Sequence, residues 1–367
     1  MNTKKMRYVW FLVILCIFCL TLFLARTRSK VEMRNRIYHQ WNEHFVVSKG
    51  KESYVRTTND SNQTVVLSEA QSYGMLITVA AAKKGQAQQA DFDRLYQYYL
   101  NHRLEGTQLM SWKQTIRNGK AKDEDHNATD GDLYIAYALL KAAQQWPKQA
   151  KDYQAQAKAI LEDILAHNYN EETGVLTVGN WANQDSEFYH LMRTSDTLPA
   201  QFQIFYEVTK DSKWLDIKEK MLQQLQTISS QTKTGLLPDF IWVDEQGTRV
   251  ADPKTIESKY DGAYSYNACR LPYNLVQSKD KTSQKLVKKM LNFFKSQRNL
   301  YAGYDLKGKA LNNHQAASFL APIVYASEQE KGYLKLVQQN KYIFTQDLPL
   351  NNYYDATMTT MIALELF

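Results

Sequence analysis

Two carboxylates stand out for where they sit in the chain. Glu69 lies in Ser68-Glu69-Ala70-Gln71-Ser72-Tyr73-Gly74-Met75, and Asp130 in Ala128-Thr129-Asp130-Gly131-Asp132. Ser68-x-x-Gln71 reads as a capping box and Thr129-x-x-Asp132 as its Asp variant, placing each acid in the first turn of a helix. An isolated acid there ordinarily just complements the helix dipole. The glycines argue for more. Gly74 and Gly131 each cost a helix about 1 kcal/mol relative to Ala, so close approach of another backbone or of a ligand is expected at both. Acids so far apart in sequence meet only where the fold brings helix starts to one rim. Such a pair supports general acid–base catalysis, with glycoside hydrolysis its commonest use. A helix N-terminus lowers a carboxyl pKa, whereas a general acid needs it raised. Exclusion of water and a neighbouring carboxylate such as Asp130 would supply the opposite shift.

The elements that must position these acids are helical by periodicity. Leu133, Ala136, Tyr137 and Leu140 fall at i, i+3, i+4, i+7, one apolar face. Comparable stretches lie near 69–84, 91–104, 130–146, 151–166, 196–209, 212–229, 268–278, 282–297, 313–327, 330–340 and 355–366, with a twelfth expected in 38–47. Many form short-linked pairs, and no β-alternation is evident. Repeating helical hairpins fit a closed double ring or an open solenoid. No fixed-period motif recurs, which favours the closed toroid. No linker divides the body after about residue 36, so one domain is expected. Segments 173–178 and 234–239 read as long rim loops.

Tyr8 to Ala25 carries no charge and is rich in Leu, Ile, Phe and Val, near the lower length limit for a bilayer-spanning helix. Residues 1–30 are therefore expected to be a membrane anchor or a signal segment, and 31–367 the catalytic body. Phe23-Leu24-Ala25 is a poor cleavage site, which favours a retained single-pass anchor with the body outside the cell; a secreted form is the alternative. Of 45 Lys and Arg, six lie in residues 1–30, leaving 39 basic against 38 acidic residues in the body. A nearly neutral body argues against nucleic acid as a partner. Cys16 and Cys19 lie in the apolar segment and Cys269 alone in the body, so no disulfide within the body is possible in a monomer, the state expected. No cluster has metal-ligand spacing, and neither a phosphate-cradling loop nor a Ser-His-Asp order is evident. No metal or cofactor is expected.

The two acidic segments resemble the S-E-G-Q-x-Y-G-M and A-T-D-G-D signatures of glycoside hydrolase family 8, with Ala70 in place of the usual Gly. Arg193-Thr194-Ser195-Asp196, Gly235-Leu236-Leu237-Pro238-Asp239 and Tyr266-Asn267-Ala268-Cys269-Arg270-Leu271-Pro272 follow in the family's order. The resemblance implies an all-α (α/α)6 barrel and inverting endo-hydrolysis of a β-1,4-linked polysaccharide such as cellulose, mixed-linkage glucan, xylan or chitosan. It implies Glu69 as general acid, Asp130 as the carboxylate that holds sugar and water, and Arg270 and Tyr73 at the same subsite. Trp112 matches a position that stacks a sugar, and Trp181 is a weaker rim candidate. Trp146 and Trp214 read as packing residues.

Asn267 departs from the pattern. Many members carry the general base there as Asp, and Asn cannot take a proton from water at neutral pH. One branch of the family also has Asn and draws its base from a nearby loop. Here Thr255-Ile256-Glu257-Ser258-Lys259-Tyr260-Asp261-Gly262 leads into the motif. Asp261 and Glu257 are the candidates, Asp261 preferred as nearer to Asn267 and followed by Gly262. Inversion requires an acid–base separation of about 6.5–9.5 Å. The alternative function is a non-catalytic polysaccharide-binding protein that has lost its base. A polysaccharide lyase is disfavoured by the neutral body. A β-linked exopolysaccharide made by a neighbouring synthase is one expected context.

Overall fold

A computed structural model describes residues 3–58, 60 and 62–367. Residues 1 and 2 of the expected membrane segment, and the side chains of Lys4 and Lys5, lie outside the described residues. Twelve α-helices occur among the described residues: α1 (Thr3–Phe45), α2 (Ser68–Lys83), α3 (Gln89–Asn101), α4 (Thr129–Gln145), α5 (Ala150–His167), α6 (Pro199–Thr209), α7 (Lys213–Ser230), α8 (Leu271–Val276), α9 (Lys281–Ser296), α10 (Ala317–Gln329), α11 (Leu334–Asn340) and α12 (Tyr353–Leu366). The expected twelfth helix at 38–47 is the end of α1.

The helices pack in pairs: α3 on α2, α5 on α4, α7 on α6, α9 on α8, α11 on α10 and α1 on α12. The even-numbered helices are the inner members. Among them α2 packs on α4, α6 on α8, α8 on α10, α10 on α12, and α12 back on α2, which closes the ring. A 3-10 turn at Thr194–Asp196 touches both α4 and α8 and bridges that sector. Composition explains the two layers. Residues 356–364 of α12 hold no charge and are all buried, as expected of a helix enclosed on every side. In α9 only one stripe is buried, with Leu286, Met290 and Phe294 along it, the signature of an outer helix. Trp214 is fully buried against Phe202 and Phe205, so its reading as a packing residue holds. Trp146 packs on Phe92.

The expectation of no strands is corrected. Ten short strands are present among the described residues: β1 (Val46–Lys49), β2 (Glu52–Val55), β3 (Thr64–Leu67), β4 (Lys113–Arg117), β5 (Lys120–Asp123), β6 (Tyr169–Asn170), β7 (Val175–Leu176), β8 (Leu191–Arg193), β9 (Phe240–Asp244) and β10 (Gly247–Val250). At two to five residues each they are too short to show a period of two in sequence. They pair antiparallel in the connections between helices. The β3–β4 register sets Leu67 opposite Lys113, and Ser68 N–H donates to Trp112 O at 2.9 Å. The β8–β9 register sets Arg193 opposite Phe240. The first ladder delivers the chain to α2, and the second delivers Arg193 to the rim.

The two expected capping boxes do not form. α2 begins at Ser68 itself, without a side-chain cap. Gln71 instead accepts from Val55 N–H and donates to Ser53 O and Leu95 O. Thr129 donates to Thr177 O, and Asp132 accepts from Met110 N–H and the Asn127 side chain. These polar side chains tie helix starts to neighbouring segments, because burial there makes an unpaired polar group costly.

α1 runs 43 residues without a break and contains neither Gly nor Pro. Its side chains are exposed throughout residues 6–30, and burial begins around Val31. The 30/31 boundary is thus a change of burial inside one helix. By length and composition this helix is able to cross a membrane or to serve as a signal anchor.

Candidate active site

Both acids lie in the first turn of inner helices, on the face where α2 and α4 begin. Gly131 makes their proximity possible. A Cβ there would stand 2.1 Å from Ser68 Oγ and 2.6 Å from Ser68 Cβ, far inside contact distance. Gly74 likewise admits Val55, whose Cγ2 would lie 2.4 Å from an added Cβ. Close approach is therefore the reason for both glycines. Gly131→Ala gains about 1 kcal/mol of helix propensity but must push α2 from α4, a cost of about 1–3 kcal/mol. A net loss of melting temperature, with a larger fractional loss of kcat, is the expected result. Unchanged kcat would show that the spacing of the two helix starts does not matter.

Arg270, itself 1% exposed, organises the floor. Its Nη1 donates to Asp130 Oδ2 and to Tyr73 Oη, both at 3.1 Å, and lies 3.7 Å from Glu69 Oε1. Its Nη2 donates to Ser195 Oγ at 2.7 Å and to Asn267 Oδ1 at 3.0 Å. Arg193 Nη1 stands 3.1 Å from Asp130 Oδ1 and 3.6 Å from Asp196 Oδ2. The two acids are driven in opposite directions. Burial pushes Glu69 up to about 7; Arg270 opposes this and Asp130 adds to it. Burial also acts on Asp130, but Arg193 and Arg270 outweigh it and hold that carboxyl below its ordinary range. Removal of water thus acts on Glu69 more strongly than the charge of Asp130. Among the described residues Glu69 Oε1 has no hydrogen-bond partner. A carboxyl kept protonated beside one kept ionised is the arrangement that separates an acid from a positioning group.

The 255–262 loop separates the two base candidates. Asp261, the preferred one, is fully buried. Its Oδ2 accepts from Ile256 and Glu257 N–H, and its Oδ1 from Ser258 N–H, at 2.8–3.0 Å. It is turned into its own loop and cannot meet a water in the cleft. Glu257, whose side chain is 45% exposed, reaches the cleft instead. Asn267 Nδ2 donates to Glu257 Oε2 at 2.8 Å, and Arg193 Nη2 lies 3.5 Å from Glu257 Oε1. Asp239 accepts from Ser265, Asn267 and Ala268 N–H and so fixes the turn that presents Asn267. Proximity along the chain favoured Asp261, but its short carboxylate is occupied by the backbone N–H groups of the preceding residues 256–258.

The cleft has a volume near 390 Å³ and is bounded by Glu69, Trp112, Asp130, Glu257, Asn267 and Tyr353 among others. Trp112 stacks on His126 with centroids 5.8 Å apart. Trp181 meets His126 at 6.2 Å and Phe188 at 5.4 Å, and Phe188 stacks on Trp242 at 6.3 Å. These side chains form a continuous aromatic row leading away from the cleft, with Trp181 outside the cleft proper. Tyr73 is corrected: it is fully buried beneath Arg270 and holds that guanidinium rather than facing a sugar. Arg193, Tyr266, Tyr353 and Tyr354 also line the cleft; the first two stand in quoted motifs but were given no role from sequence, and the last two were not singled out. Tyr266 had a signal, being adjacent to Asn267; Tyr353 and Tyr354 had none, since they arrive from the far end of the chain. No group of three or more His, Cys, Asp or Glu side chains able to hold a metal occurs among the described residues.

The sequence model of glycosyl hydrolases family 8 matches residues 13–365. The chain belongs to glycosyl hydrolases family 8. It is 31% identical to a β-glucanase of Niallia circulans over 298 residues, 78% of this chain and 72% of that protein. To endoglucanase A of Acetivibrio thermocellus it is 27% identical, covering 83% of this chain and 62% of that one. The apo structure of a β-1,3-1,4-glucanase from Paenibacillus sp. X4 superposes with a TM-score of 0.82 at 25% identity, over 93% of this chain and 92% of the other. The family 8 chain is accordingly a glycoside hydrolase. Inversion is characteristic of family 8, and an (α/α)6 barrel is typical of it, as the closed ring of six helical pairs leads one to expect.

Proposed function

We propose that the protein is an inverting endo-glycanase acting on a β-1,4-linked glucan, with Glu69 as general acid, Glu257 as general base and Asp130 holding the sugar and the attacking water. The observation that carries this is the Glu257 carboxylate in the same cleft as Glu69, tethered by Asn267. In the reaction Glu69 gives its proton to the glycosidic oxygen as the bond to the anomeric carbon breaks. Water attacks that carbon from the opposite face and passes a proton to Glu257. The new reducing end is therefore released as the α-anomer. Asn267 fits the branch of the family that takes its base from the preceding loop. The reading as a binding protein without a base is disfavoured by a second carboxylate, Glu257, lining the same cleft as Glu69.

The similarity to a β-glucanase and to endoglucanases supports a glucan over xylan. The cleft sets two guanidinium groups against three carboxylates, a near-balance that favours a neutral polymer over cationic chitosan. We read α1 as a retained anchor holding the body outside the cell, where a β-linked exopolysaccharide or an external glucan is the substrate. A reducing-end assay of the full chain on cellulose, mixed-linkage glucan, xylan and chitosan tests this. Release from the glucans is expected; turnover confined to chitosan or xylan would overturn the substrate assignment.

Asn267→Asp gives a second test, with a counterintuitive sign. It restores the residue that many family members carry, yet it removes the donor to Glu257 and sets a like charge beside it. The carboxylate that should take the proton then loses its tether and is repelled from its place. A lower kcat in a variant that stays folded is expected. Wild-type kcat would mean that the Asn267–Glu257 pair has no part in the reaction.

A further inference from the structure

We infer that α1 is at once the membrane-crossing helix and an outer helix of the ring, so that the protein stands with the far end of the ring against the bilayer and the catalytic cleft opening away from it. This rests on the reading of α1 as a retained anchor and adds an orientation and an interaction surface to it.

α1 is antiparallel to α12, and three contacts fix the register. Arg34 Nη1 donates to Phe367 O at 3.0 Å at the C-terminal end of α12. Trp41 Nε1 donates to Thr357 Oγ1 at 2.9 Å further along. Phe45 meets Tyr353 edge to face, with centroids 6.0 Å apart, at the N-terminal end. Arg36 adds a clamp, donating from Nη1 to Asp347 and from Nη2 to the carbonyls of Phe344, Thr345 and Gln346. Tyr353 also lines the cleft. The C-terminal end of α1 thus lies at cleft level, and its N-terminal end points past the opposite end of the ring.

Helix geometry converts this to distance. The apolar stretch ends at Ala25. Lys30, whose ammonium sits over the Phe367 ring at 5.4 Å, is five residues further, about 7.5 Å of rise. Phe45 is twenty residues beyond Ala25, about 30 Å. Sharp helix kinks arise almost always at Pro, Gly/Ser pairs or inserted groups, and α1 has neither Pro nor Gly. The far end of the ring therefore lies within about 10 Å of the apolar boundary, with the cleft about 30 Å above it. The surface turned to the bilayer is suited to anionic headgroups. Lys83, Lys84 and Lys141 rim the cavity that opens at that end, and Arg26, Arg28 and Lys30 precede it on α1.

The test uses the full chain with Cys16→Ser and Cys19→Ser in vesicles holding acceptor-labelled headgroups. Cys269 is buried and stays silent. A donor dye is attached through Lys84→Cys at the far end or Lys122→Cys on β5, in the sheet whose β3 strand runs into the start of α2. Co-flotation with the vesicles is expected, with transfer from position 84 at least twice that from position 122. Adding Ser29→Pro, which breaks the rigid connection, should narrow that difference. Co-flotation with equal or reversed transfer would overturn the orientation while leaving the anchor in place. Failure to co-float would overturn the anchor itself, and the orientation with it.

Discussion

Glu257→Ala is expected to lower kcat by about 10²–10⁴-fold, the usual worth of a positioned general base, with KM little changed. Asp261→Asn is expected to behave differently. The Asp261 carboxylate accepts three backbone N–H bonds from residues 256–258, and bonds to a charged group are worth about 1.5–3 kcal/mol each. Neutralising it should lower the melting temperature and loosen the loop that presents Glu257, with a smaller loss of kcat that shrinks on cooling. The contrast matters more than either value. A larger turnover loss in Asp261→Asn than in Glu257→Ala, at a temperature where both are folded, would reverse the assignment.

The second large effect is that of Glu69→Gln. The amide has no proton to give, so kcat should fall by about 10²–10⁴-fold while oligosaccharide binding persists. In the wild type the acid must be protonated, and burial holds Glu69 near 7. The basic limb of kcat/KM should therefore fall as pH rises through about 7. Stability carries the same signature with a definite sign. The folded state holds this proton more tightly than the unfolded chain does. Wild-type stability thus declines as pH rises from about 4.5 through about 7, then levels off. The glutamine variant escapes that decline. Its stability relative to wild type should grow across this window by about 1–3 kcal/mol, measured as denaturation midpoints at pH 5 and pH 8. A constant difference would show that Glu69 is not held protonated by the fold.

Helical periodicity was enough to locate the helices and their short-linked pairs, whereas which member of each pair lies inside emerged only from the packing. The glycines at 74 and 131 were legible because a close approach explains such residues inside helices, and a close approach is what they permit. The caps were misread, since Gln71, Thr129 and Asp132 have the right residue types at the right spacing but are drawn to buried partners on other segments. Long-range pairing of that kind leaves no local trace. The same holds for Tyr73, whose place beneath Arg270 depends on two segments about two hundred residues apart. The choice between Glu257 and Asp261 turned on side-chain direction within a single loop, and spacing along the chain says nothing about direction.

The most direct measurement is a crystal structure of Glu69→Gln with a β-1,4-linked gluco-oligosaccharide spanning the cleavage point. A water hydrogen-bonded to the Glu257 carboxylate, lying beneath the anomeric carbon on the face opposite Gln at position 69 and steadied by Asp130, is the predicted result. A water held there by a different carboxylate, with Glu257 turned away from the sugar, would contradict it.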